Sequence, residues 1–195
     1  VLEAYEQEMK KWDIGSYEVL CRAKKAFEKL CLETPRRYAI TRNAVDFTGN
    51  NVNNAKNCHY CFSITEGCEN LKFVYLSGLA FKDSYDSWGA GAKSQLLYEV
   101  TGCMGGERVL FTNNVHYCVE TQYSNKCFHC NNIFGCSGLK KKNYCILNKK
   151  YSKEEYAKLV ARIIEQAKKL PYIDQGGRRY LYGEFFPIDL MPMAY

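Results

Sequence analysis

Two pairs of cysteines in this chain have the spacing that a tetrahedral metal site uses. They are Cys58-His59-Tyr60-Cys61 and Cys127-Phe128-His129-Cys130, each with a histidine inside the C-x-x-C unit. Zinc takes four Cys/His ligands, commonly as two such pairs brought together. A more local set is His116, Cys118 and Cys136, with Cys127 and Cys130 nearby in sequence; zinc is the cofactor these ligands would hold. The competing reading is that the cysteines are small core hydrophobes stacked on one another. Nucleophilic catalysis would need a thiolate beside a base. Cys118 and His116, expected on the same strand face, come nearest to that pattern, but with eleven cysteines and three histidines such pairings carry little specificity. No residue is assigned a catalytic role.

Other constellations are weaker. Trp88-Gly89-Ala90-Gly91-Ala92-Lys93-Ser94 and Gly102-Cys103-Met104-Gly105-Gly106 carry glycine, but neither has the full phosphate-loop string, and corner glycines explain both. The carboxylates of a carbohydrate-active solenoid would cluster on one face, whereas Asp83, Asp86, Glu99, Glu107 and Glu120 are scattered along the chain. Basic residues are concentrated instead. Between Leu139 and Arg179 there are twelve Lys/Arg against four Asp/Glu, a balance of +8, and the remainder of the chain carries −2. Lys140, Lys141, Lys142, Lys149, Lys150, Arg178 and Arg179 make a candidate contact patch, with Tyr144, Tyr151 and Tyr180 as stacking surfaces for nucleic acid.

These residues must be positioned by some fold, and the pattern points to repeats. Residues 57–83 align with the later part of the chain at a step of about nineteen residues. Tyr60 then meets Leu79, Tyr98 and Tyr117, while Phe62 meets Phe81, Val100 and Val119; after Tyr117 the step shortens to eighteen, which stacks Cys118 on Cys136 and Cys127 on Cys145. Apolar character at alternate positions is the period of a strand with one buried face. Short Asn/Gly/Asp/Ser stretches between strands suit sharp corners. One rung cannot bury its own face, but stacked rungs make a continuous core. The expectation is a mainly β fold: a parallel β-helix, right-handed, with rungs of about nineteen residues. A twisted antiparallel sandwich is the structural alternative.

The chain then divides into three regions: a helical cap over residues 1–38, the β-solenoid over 39–150, and an amphipathic helix with an extended tail over 151–195. Ser16 is read as the N-cap of the first helix, which Pro35 stops. Ser152 and Glu155 form a capping box, followed by an apolar stripe ending at Leu170. The tail, Gly183 to Tyr195, reads as an apolar strap. Both helices are expected to cover open solenoid ends.

The stretch NKCFHCNNIFGCSGLKKKNYCILNKKYSKEEYAKLVARIIE resembles a group of uncharacterised cysteine-rich repeat proteins from candidate-phyla bacteria. The resemblance spans about Glu33 to Tyr156, is densest at Cys127–Tyr156, and returns at GEFFPI. It implies irregular cysteine-containing repeats and names no activity. That group commonly carries zinc ribbons ahead of the repeats; this sequence has none there, so no zinc-ribbon role carries over. An odd cysteine count without a signal segment suits a reducing, cytoplasmic setting. The first residues lack a methionine, as in a piece excised from a longer chain. No apolar run is long enough to span a bilayer, so no membrane insertion is expected. The functional expectation is a non-catalytic β-solenoid scaffold or interaction module with a protein partner. The alternatives are a structural-zinc or nucleic-acid-binding protein and a carbohydrate-active enzyme.

Overall fold

The structure, a computed structural model, describes residues 2–12 and 15–184. Residues Val1–Tyr38 form one compact unit and Ala39–Tyr195 another. The first unit holds α1 (Leu2–Met9) and α2 (Tyr17–Glu33), neither with a buried residue. Ser16 caps α2, accepting a hydrogen bond from the Val19 amide at 3.5 Å.

The second unit is a parallel β-solenoid. Its strands are β1 (Thr41–Ile64), β2 (Cys68–Ser77), β3 (Lys82–Trp88), β4 (Gln95–Met104), β5 (Glu107–His116), β6 (Val119–Gln122), β7 (Asn131–Phe134), β8 (Asn143–Ile146) and β9 (Lys149–Lys150). They form one sheet in chain order, parallel from β1 to β8, and β9 folds back antiparallel on β8. No proline lies between Pro35 and Pro171, so every residue of the coil keeps an amide to offer the neighbouring rung.

The rung is not nineteen residues long. Ala55 pairs with Cys68, Glu69 with Lys82 and Lys82 with Gln95, each a step of 13. From Gln95 the step is 12, through Glu107, Val119, Asn131 and Asn143. Nor is the inward period two. The buried positions recur every third residue, as in Ala55, Cys58, Cys61 and Ile64. The residue just before each inward one turns a corner: Asn54, Asn57, Tyr60 and Ser63 all have φ between 47° and 56°. A side is therefore three residues, four sides close a turn of twelve, and pleat alternation never runs long enough to set a period of two. The thirteenth residue enters at the same corner each time, between Ile64 and Cys68, Ser77 and Phe81, and Ala90 and Ser94.

Four inward columns result. Column one runs Ala55, Cys68, Phe81, Ser94, Gly106, Cys118, Cys130; column two starts at Cys58, column three at Cys61 and column four at Ile64. Side 1 joins columns one and two, and sides 2, 3 and 4 come after it in chain order.

Left-handed corners cost non-glycine residues about 1–2 kcal/mol each. Part of that is offset by ladders of corner side chains. Asn57, Asn70 and Asp83 are linked by side-chain bonds of 2.8 and 2.7 Å. The corner rings Tyr60 and Phe73 stack at 5.0 Å, Phe111 and Tyr123 at 4.8 Å, and Tyr117 and His129 at 5.0 Å. Such pairs contribute about 0.5–1.5 kcal/mol beyond burial. At Gly91 backbone approach leaves no alternative, because a Cβ there would sit 2.4 Å from the Gly78 carbonyl oxygen.

After β9, the Ser152 capping box starts α3 (Lys153–Lys169). Its Tyr156 is buried and meets Tyr144 of β8 edge-on at 5.8 Å, so this helix covers the last rung as expected. A hairpin of β10 (Tyr172–Ile173) and β11 (Arg179–Tyr180) comes next. The apolar strap, from residue 185 onward, lies outside the described residues. No helix among them is long and apolar enough to cross a membrane.

Candidate binding faces of the solenoid

The predicted metal ligands separate. Cys118 and Cys130 occupy column one on adjacent rungs, and the Cys130 amide donates to Cys118 Sγ at 3.2 Å. Cys127 is in column four and Cys136 in column three. The expected stacking of Cys118 on Cys136 does not occur, because the repeat there is 12 residues and not 18. His116 lies outside the coil. Its Nε2 is 2.8 Å from Asn114 Oδ1 and its ring stacks on Phe128. Cys118 points inward and donates to the His116 carbonyl oxygen at 3.3 Å. The imidazole and thiol expected on one strand face are thus on opposite sides of the backbone. Among the described residues no three Cys, His, Asp or Glu side chains converge as a metal site.

The thiols have a different use. Cys58, Cys61, Cys118, Cys130 and Cys136 each donate to the carbonyl two residues back, at 3.3–3.4 Å. Ser84, Ser87 and Ser124 make the same bond at 2.6–2.9 Å. A coil this narrow admits small side chains, and the thiol or hydroxyl is a second donor to a carbonyl that also accepts an amide from the next rung, as the His116 carbonyl does from His129 and the Phe128 carbonyl from Lys141, both at 2.9 Å. Burial pushes the thiols of Cys103 and Cys118 up to about 12 and that of Cys127 to about 11. They stay protonated at neutral pH, the form that neither attacks nor ligates. Cys61 is lowered by a hydrogen bond with Cys58, but it lies inside the core with no exposed surface for a substrate to reach.

The outer sides differ in chemistry. Side 1 carries charge of both signs, with Lys82 paired to Glu69 at 3.3 Å and Arg108 to Glu120. Side 2 carries Asp86 and Glu99, and its later rings, Tyr123 and Phe134, sit under α3 and the hairpin. There they help line a cavity of about 190 Å³ with Ile163, Leu170, Tyr180 and Tyr182. Side 3 carries a column of rings at 13-residue spacing: Phe62, Tyr75 and Trp88, exposed to 46%, 50% and 51%. Among the described residues none of the three stacks on another ring, unlike the ladders elsewhere. Further along, side 3 is amide-rich, with Asn113 bonded to Asn125 at 3.3 Å. Side 4 carries the His116–Phe128 and Tyr117–His129 stacks and then Lys140 and Lys141.

The predicted basic patch is divided among these surfaces. Lys140 and Lys141 are on side 4, with Lys142 beside them. Lys149 and Lys150 form β9 on the last rung. Arg178 and Arg179 belong to the hairpin next to side 2, where Tyr182 donates to Gln122 at 2.9 Å. Sides 2 and 4 share no column, so the arginines and the lysine triplet face opposite ways. The ring column of side 3 escaped the sequence reading, and its signal was the step of 13 from Phe62 to Tyr75 to Trp88. No protein-family model matches the chain, and no curated protein is detectably similar to it.

Proposed function

We propose that this protein is a non-catalytic binding module whose solenoid displays side 3 to a partner. The observation that carries this reading is the exposed, unstacked column of Phe62, Tyr75 and Trp88. Each ring could have been stacked as Tyr60 is on Phe73, and each instead leaves about half its surface to solvent. Contiguous exposed rings on a rigid support are what a recognition surface requires. The protonated, inward-facing thiols support a scaffold role for the cysteines rather than a catalytic one.

The test is retention of defined ligand classes on immobilised arrays of peptides, glycans and oligonucleotides. The reading expects at least one class to be held by the native protein and lost by F62S/Y75S/W88S. The side 1 variant K82Q/R108Q should retain it. Equal loss with the side 1 variant, or conversion of a held ligand into product, would overturn the reading.

A further inference from the structure

The distribution of carboxylates around the coil names the class of partner, an inference that rests on side 3 being the displayed surface. From Phe62 to Lys141, sides 3 and 4 carry one carboxylate, Glu66 on the first of these rungs. Every other acidic residue of those rungs, including Glu69, Asp86 and Glu107, falls on sides 1 and 2. Sides 3 and 4 adjoin along column four, so they make one continuous acid-poor surface. Lys93, Lys126, Lys140 and Lys141 are exposed on it, and none has an ion-pair partner among the described residues. On side 1, by contrast, Lys82 and Arg108 are both neutralised. Six of the seven carboxylates of these rungs lie on sides 1 and 2, so the cations there, Lys72 near Asp86 included, sit among acids, and the lysines of sides 3 and 4 do not.

We infer that this surface binds single-stranded nucleic acid. An unpaired positive strip clear of carboxylates attracts a polyanion. Trp88, Tyr75 and Phe62 offer free rings beside it, and Trp88 shares a rung with Lys93. Bases stack on such rings, whereas a sulfated or uronic polysaccharide needs the charge and not the rings. Asn113 and Asn114 supply amides on the same side. Six rung steps of roughly 4.8 Å make the strip about 29 Å long, an extent that suits an extended strand. A rigid duplex presents no unstacked bases to the rings.

The experiment is fluorescence anisotropy of the full chain with a labelled 12-nucleotide oligo(dT), over a salt series. Four lysines predict a slope of log affinity against log salt of about −2.8, at about −0.7 per phosphate contact. K93Q/K126Q/K140Q/K141Q should abolish that slope and the binding at moderate salt, while K82Q/R108Q leaves both. Y75A/W88A should weaken binding about tenfold or more, and W88F should restore most of it. Circular dichroism checks that each variant is folded. The inference is overturned if oligo(dT) does not bind. It is equally overturned if Y75A/W88A binds oligo(dT) as tightly as the native protein while dextran sulfate competes, since the partner is then an acidic polysaccharide. A peptide or glycan captured by side 3 in the array, with no oligonucleotide binding, would leave the proposed module standing and sink this assignment alone.

Discussion

Ser94 and Cys118 occupy the same inward column two rungs apart, and each receives an amide from the rung above. Gly106 donates to Ser94 Oγ at 3.1 Å, and Cys130 donates to Cys118 Sγ at 3.2 Å. The cysteine is thus exchangeable with serine in its bonding, and its sulfur adds volume to the core. Cys118→Ser should keep both bonds and change stability by no more than about 1.5 kcal/mol. Cys118→Val removes donor and acceptor together, leaves the Cys130 amide unpaired, and should cost about 1–3 kcal/mol. Urea unfolding of the two variants separates this reading from a zinc site, in which serine would cost about as much as valine because either change removes the thiolate ligand. The raised thiols also fix a direction with pH. An unfolded cysteine ionises near 8.5, whereas Cys103, Cys118 and Cys127 hold their protons to about 11–12 when folded. Their contribution is complete below about pH 8.5, where both states are protonated. Above it the unfolded state binds fewer protons, so stability falls until the folded thiols ionise in turn. Urea midpoints should be level below that point and decline from about pH 9, with a shallower decline in Cys118→Ser. An unchanged midpoint at pH 10 would mean that these thiols are not excluded from water.

At the scale of elements, the helix ends were legible because capping is local chemistry. Ser152 accepts from the Glu155 amide at 3.2 Å, and the Glu155 carboxylate returns to the Ser152 amide at 3.1 Å. Because α3 covers the last rung through Tyr156, Ser152→Ala should lower global stability by about 0.5–2 kcal/mol and not merely fray the helix. A thermal melt in which the near-ultraviolet tyrosine signal and the far-ultraviolet signal shift together would show that coupling. The rungs were legible as repeats and misread in length, for a reason that lies in the corners. Tyr60, Phe73 and Leu76 occupy left-handed positions normally reserved for Gly or Asn, so the turn signal is missing from the sequence where the chain turns. With corners hidden, Tyr60 aligned with Leu79, Tyr98 and Tyr117 although each such step crosses six sides, a turn and a half, and a false step of nineteen appeared. The true steps of 13 and 12 are written instead in the ladders, from Asn57 to Asn70 to Asp83 and from Tyr117 to His129. The same hidden period separated the metal candidates: Cys118 and Cys136 share a column only if the step is 18.

For the molecule as a whole, a stack of near-identical turns has a consequence that a closed core does not. Each rung contacts its two neighbours, so the coil should tolerate the loss of a whole turn and fail on the loss of part of one. Residues Glu107 to Cys118 make one complete turn of 12, and their removal joins Gly106 of column one directly to Val119. Val119 then meets Gln95 in the register that Glu107 held, and Ile133 still comes after Thr121 in column two. Removing only 107–116 brings Tyr117 to that place. Cys118 then falls on an outward position, and every later inward residue loses its column. The 12-residue deletion should therefore give a soluble monomer with a native β spectrum, unfolding cooperatively at a lower midpoint. The 10-residue deletion should lose cooperative unfolding. The contrast turns on register alone, since the longer deletion removes more buried surface and is nevertheless expected to be the milder. If both variants unfolded alike, the four-column coil would not be the unit that holds this protein together.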